Sequence, residues 1–159
     1  MTDFADAFKR GQDAAAQAAA SRAEISAVFT EVNEQLNVAT EGKLEIERKS
    51  FAKPQKKTVA DLLGGAAGLN SFLARLEPAE TEPWVAARNP QAADDGWVQL
   101  AKWYRPQEGY PCELTYDKTD ARCHDRAALA EALAEMLANA SIGEQIRRLL
   151  ALPLKESKA

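Results

Sequence analysis

The sequence predicts an α+β fold with a long N-terminal helix, an antiparallel sheet of about four strands and two C-terminal helices. Three observations predict it. Apolar or small residues recur every three or four positions from Phe4 to Leu36. Between Lys43 and His124 short segments alternate instead, separated by turn residues. From Arg126 the helical period returns. A chain of 159 residues suits one domain. Residues 1–41 read as a helical arm and 42–159 as a small α+β body.

The first helix is expected over residues 3–38. Asp3 suits its N-cap, because a carboxylate accepts the orphan amides of a first turn. Its stripe runs Phe4, Phe8, Gly11, Ala15, Ala18, Arg22, Ile25, Phe29, Val32, Leu36, the alternating four–three spacing of a coiled-coil seam. The middle of the stripe is small and its end bulky, and Arg22 interrupts it. Small seam residues admit a second backbone at close range. Such a helix spans about 54 Å at about 1.5 Å per residue. The remaining body has a radius of gyration of about 14 Å. Either the helix kinks near Gly11 or Arg22, or an end projects.

Gly42 suits the turn after this helix. In Lys43–Phe51, Leu44 and Ile46 alternate with Glu45 and Glu47, a half-buried strand. Ala52–Lys57 is a basic loop containing Pro54. A short helical insert follows, with Val59, Leu62 and Leu63 before Gly64–Gly68, and Leu69, Phe72, Leu73 and Leu76 after it. Trp84–Arg88 and Trp97–Tyr104 read as strands. Tyr110–Tyr116 puts Tyr110, Cys112, Leu114 and Tyr116 on one face. Asp117–Asp120 turns the chain into a short return strand, Arg122–His124. Short links between successive strands imply an antiparallel meander. Asp125 suits the cap of a helix over Arg126–Ala140 carrying Leu129, Leu133, Met136 and Leu137. Ser141-Ile142-Gly143-Glu144 has the spacing of a capping box. A last helix to about Leu152 follows, with Ile146, Leu149 and Leu150 inward.

Apolar residues make up 46% of the chain, but many are alanine, so the larger side chains and aromatics must fill the core. No apolar run approaches the roughly 20 residues that cross a bilayer. No signal-peptide pattern opens the chain, so a cytoplasmic protein with no membrane partner is expected. Cys112 and Cys123 flank a hairpin turn. They read as reduced, partly buried thiols, with a cross-strand disulfide as the alternative. Net charge is −4 overall, yet residues 42–58 hold six basic and two acidic side chains. This local positive stretch includes Arg48, Lys49, Lys53, Lys56 and Lys57. No helix-turn-helix, RRM or zinc-finger pattern accompanies it, so nucleic acid is not the expected partner.

Motifs that carry chemistry are weak. His124 is the one histidine, and the adjacent Asp125 is better explained as a helix cap. Cys112, Cys123 and His124 lack a zinc spacing. Gly64–Gly68 lacks the preceding strand and the lysine of a phosphate loop. No catalytic, metal or cofactor site is therefore expected. In Trp97–Tyr104 strict alternation places Trp97, Gln99, Ala101 and Trp103 on one face and Val98, Leu100, Lys102 and Tyr104 on the other. Both faces are substantially apolar, so either a helix covers the second face or part of it is a binding surface.

The expected function is a non-enzymatic protein–protein interaction, with self-association through the N-terminal helix. The expected interaction residues are Phe4, Phe8, Gly11, Ala15 and Ala18 on the helix, and Trp97, Trp103 and Tyr104 on the sheet. Two alternatives stand beside it. One is a small acidic inhibitor or antidote, of the kind carried by phages and toxin–immunity pairs, which would block a basic enzyme by charge complementarity. The other is a small enzyme using His124.

Overall fold

The computed structural model describes residues 1–53, 80–94 and 96–155. The predicted helical insert and Lys56 and Lys57 lie outside the described residues. The order of elements is α1 (Phe4–Thr40), β1 (Glu45–Ala52), β2 (Thr81–Arg88), β3 (Val98–Tyr104), β4 (Cys112–Tyr116), β5 (Thr119–Cys123), α2 (Arg126–Ala138) and α3 (Ala140–Leu150). The α+β class and its order are as predicted. The sheet has five strands rather than about four, joined as an antiparallel meander β1-β2-β3-β4-β5. The return strand starts at Thr119, because Asp117 takes a left-handed φ of 51° and turns the chain in two residues. Asp tolerates that region better than most residues.

The three described helices cover one face of the sheet. α1 lies along β1 and α2, α2 covers β4 and β5, and α3 covers β3. Between them Ile25, Val28, Phe29, Ile46, Val85, Leu114, Leu129, Leu133 and Met136 form one core. β1 follows the predicted alternation, burying Leu44 and Ile46. Its inner face then continues to Arg48, opposite Val85.

β3 departs from simple alternation. Val85 faces Ala101, yet Ala86 faces Gln99, so Leu100 is the extra residue of a β-bulge. The bulge reverses the parity of the strand. Val98, Leu100, Ala101 and Trp103 all turn toward the helices, while Gln99, Lys102 and Tyr104 face solvent. The strand looks apolar on both faces in sequence because its inner set changes from even to odd positions midway.

Asp3 caps α1, accepting from the Asp6 amide at 3.0 Å, and Asp125 caps α2, accepting from the Ala128 amide at 2.8 Å. The predicted capping box of Ser141 and Glu144 does not form. Asn139 caps α3 instead, accepting from the amides of Ser141 and Ile142 at 3.0 and 3.1 Å. It sits two residues earlier and supplies the same oxygen chemistry, so α3 starts sooner. Gly143 lies inside α3 with open space where a Cβ would stand. Gly143→Ala is expected to raise stability by about 0.5–1 kcal/mol by removing a glycine from a helix interior. A urea melt reads the shift.

Asn89 is the one buried polar side chain among the described residues, 1% exposed. Its Nδ2 donates to the Leu149 carbonyl at 3.0 Å and its Oδ1 accepts from the Gln91 amide at 3.0 Å. The β2–β3 loop is thereby tied to the end of α3. Among the described residues no helix is long and apolar enough to cross a membrane.

Candidate interaction site

α1 is an uninterrupted helix of 37 residues, continuous through the positions Gly11 and Arg22 where a kink was the alternative. Every residue from Met1 to Gln17 is exposed, and burial begins at Ala18. Phe4 is 78% and Phe8 70% exposed. Residues 4–17 thus extend about 21 Å of helix beyond the buried part of α1. Of the helix residues expected to interact, Phe4, Phe8, Gly11 and Ala15 lie on this exposed segment. Ala18 does not: it is 8% exposed, at the point where the body begins to cover the helix.

The β3–β4 loop forms a collar at that point. Gly109 has φ +95°, and a Cβ there would stand 2.7 Å from the Ser21 Cβ and 3.3 Å from the Arg22 amide nitrogen. Only glycine gives both the backbone angle and the approach. Arg22 Nη1 donates to the Gln107 carbonyl at 2.7 Å, and the Tyr110 hydroxyl donates to Glu24 Oε1 at 2.9 Å. Burial and then the Glu24 carboxylate push the Tyr110 hydroxyl well above its ordinary pKa. The charged residue that interrupts the seam therefore marks where α1 leaves the body.

Below the collar α1 is fixed to the sheet edge. Asn33 Nδ2 donates to the Ile46 carbonyl at 2.8 Å, and its Oδ1 accepts from the Ile46 amide at 2.9 Å. One side chain thus pairs both outward backbone groups of an edge-strand residue. Arg48 lies alongside. Its guanidinium is 4.8 Å from the centroid of the Phe29 ring and donates to Ser26 Oγ at 3.0 Å. The Phe29 ring meets Trp103 edge-on at 5.5 Å. Burial first and Arg105 second lower the Arg48 pKa. Arg48, Lys49 and Lys53, from the described part of the positive stretch, are accordingly dispersed. Arg48 turns inward, Lys49 lies over Trp97 at 4.8 Å, and Lys53 pairs with Glu80 at 3.8 Å.

Of the three aromatics expected on a binding face, Trp103 is a core residue, 6% exposed, because the Leu100 bulge turns it inward. Tyr104 is 53% exposed. Trp97 is half-buried, with Lys49 at 4.8 Å and the Arg88 guanidinium at 5.0 Å from its ring. Trp84 carries Lys102 over its ring at 5.8 Å and donates from Nε1 to Glu82 at 3.2 Å. The solvent face of the sheet is thus tiled by cations resting on indoles.

A cleft of about 490 Å³ opens between Trp97 and α3, lined by Asp94, Val98, Gln145, Arg148 and Leu152 among others. Arg148 is engaged by Glu144 at 3.9 Å. The described lining supplies no hydroxyl, thiol or imidazole. A groove of about 180 Å³ between α1 and α2 is mostly apolar, walled by Val28, Val32, Leu36, Ala130, Ala134 and Leu137. Cys112 and Cys123 stand opposite each other across β4 and β5, both buried and both free. The Cys112 thiol is pushed up by its hydrogen bond with Cys123 and by burial, so it stays protonated. His124 is exposed and lines none of the described clefts. Among the described residues no three His, Cys, Asp or Glu side chains are grouped to hold a metal ion.

Sequence reasoning missed Asn33, Arg48 and Gly109. Arg48 carried a signal, since it occupies the inward register of β1 two residues after Ile46. Gly109 sits between Pro106 and Pro111, which marks a turn but not what the turn touches. Compared with family models, with curated proteins and with solved structures, the chain matches none.

Proposed function

We propose that the protein is a non-enzymatic protein–protein interaction protein that self-associates through the exposed part of α1. The observation that carries this reading is the exposure of Phe4 and Phe8 on a helical segment whose residues are all exposed up to Gln17. Fully burying such a side chain stabilises by about 1.5–3 kcal/mol, so a solvated pair on one stripe favours association. The sheet face supports the reading less well, because Trp84 and Trp97 already hold cations of their own chain.

The test is a Phe4→Glu/Phe8→Glu double variant. Neither side chain is buried in the chain, so thermal unfolding at low concentration is expected within about 0.5 kcal/mol of the parent. Mass in solution is expected to fall from an oligomer to a single chain. A parent and a variant of equal mass would remove the reading.

A further inference from the structure

We infer that the exposed helices of two copies of this chain pair antiparallel, with Phe8 of each seated against Gly11 of the other. This deepens the self-association reading and rests on it.

Four observations carry it. The exposed stripe Phe4, Phe8, Gly11, Ala15 is flanked by Ala5, Ala7, Gln12 and Ala14, all uncharged. The charges lie on the opposite side of the helix, where Arg10 Nε meets Asp6 Oδ2 at 2.9 Å. A partner on this stripe therefore desolvates no ion.

Gly11 is the second observation. Glycine is disfavoured in a helix interior, and among the described residues nothing outside the helix's own neighbouring turns lies within 4 Å of where its Cβ would be. Among the described residues no contact explains it. A bulky side chain arriving from another molecule does.

The third is register. In an antiparallel coiled coil each a residue faces a d residue of the other helix. Setting Phe8 against Gly11 also sets Phe4 against Ala15. Every large side chain then meets a small one. Sliding by one heptad in one direction puts Phe4 against Phe8. Sliding in the other puts Phe4 against Arg22, where Gln107 and Gly109 of the collar already lie on the helix. A parallel pair in register stacks Phe4 on Phe4 and leaves Gly11 facing Gly11 across a gap. Only the first arrangement sets each phenylalanine against a small residue and keeps clear of the collar.

The fourth is area. Four phenylalanines at about 150–200 Å² each, with the alanine flanks, bury roughly 1,000 Å². That reaches the lower bound for a specific interface, at about 1,000–1,200 Å². A second copy therefore suffices as the occupant, and the pair it forms is reversible.

The experiment combines mass in solution with cysteine cross-linking on the full chain. In the proposed register Ala7 of one copy flanks Ala14 of the other, whereas a parallel pair brings Ala7 beside Gln12. Cys112 and Cys123 are buried and do not compete for the cross-linker. Mixed Ala7→Cys and Ala14→Cys chains are expected to form disulfide-linked dimers on mild oxidation by oxidised glutathione, with each variant alone linking at least roughly fivefold less. Gly11→Leu is expected to weaken dimerisation at least roughly tenfold, with helicity maintained or raised. A dimeric chain in which Ala7→Cys links preferentially to Gln12→Cys, or in which Gly11→Leu tightens the dimer, overturns the antiparallel register alone. A parent that is monomeric overturns the self-association reading beneath it.

Discussion

Gly109→Val is expected to destabilise the protein by about 2–4 kcal/mol, combining a strained positive φ with overpacking. The backbone there has φ +95°, and the new Cβ would stand 2.7 Å from the Ser21 Cβ. Neither atom is the free end of a flexible side chain, so the backbone of the loop or of α1 must move. Moving it also breaks the Arg22–Gln107 and Tyr110–Glu24 hydrogen bonds on either side. Gly96 provides the control, because nothing lies within 4 Å of its added Cβ. Gly96→Ala is expected within about 0.5 kcal/mol of the parent in the same urea titration. A Gly109→Val protein that melts with the parent would show that the collar does not hold α1.

Asn33→Asp is expected to cost about 2–3 kcal/mol at neutral pH. Asn33 donates to the Ile46 carbonyl and accepts from the Ile46 amide. An aspartate keeps the acceptor but replaces the donor with a second negative oxygen facing a carbonyl. The ionised form is then disfavoured in the folded protein, so the folded-state pKa rises above the ordinary value of about 3.9. A carboxyl raised on folding makes the folded state bind the proton more tightly, and stability falls as pH rises through that window. The deficit is therefore largest near neutrality and shrinks as pH falls toward about 4. Urea midpoints of parent and variant at several pH values between neutral and mildly acid would show the gap closing. A gap independent of pH would mean that Asn33 acts by packing rather than by pairing the edge of β1.

These two sites also mark how far the sequence could be read. Interactions between neighbours in the chain were legible. Asp3 and Asp125 cap helices because a carboxylate reaches amides three residues on, which spacing alone reveals. The third cap was misplaced because Asn139 and Ser141 offer similar oxygens two residues apart, and no local rule chooses between them. The exposed stripe of α1 was legible in composition, since Phe4 and Phe8 stand on a periodic face. What stops the body from covering more of that face was not. The boundary at Ala18 is set by the β3–β4 loop, whose contact with Ser21 links positions far apart in sequence. The two-faced apolar look of β3 came from one inserted residue, Leu100, which reverses alternation without any sequence mark of its own. Trp103 therefore read as a surface candidate and is a core residue. Asn33 and Arg48 were illegible for a related reason. Each is polar in a helix or strand that packs inward, and its partners lie on a different element.

The helix α1 thus has two ends with different surroundings. From Ile25 to Leu36 it fills the core and holds the edge of β1. From Phe4 to Gln17 it presents an apolar stripe to solvent. Sedimentation equilibrium of the unmodified chain across concentration tests the assignment of that stripe to a second copy most directly. The account predicts twice the 17.3 kDa of one chain at high concentration, returning to 17.3 kDa on dilution. An interface of this size places the midpoint on the order of micromolar. A mass of 17.3 kDa at every concentration up to about a hundredfold above that midpoint would contradict it.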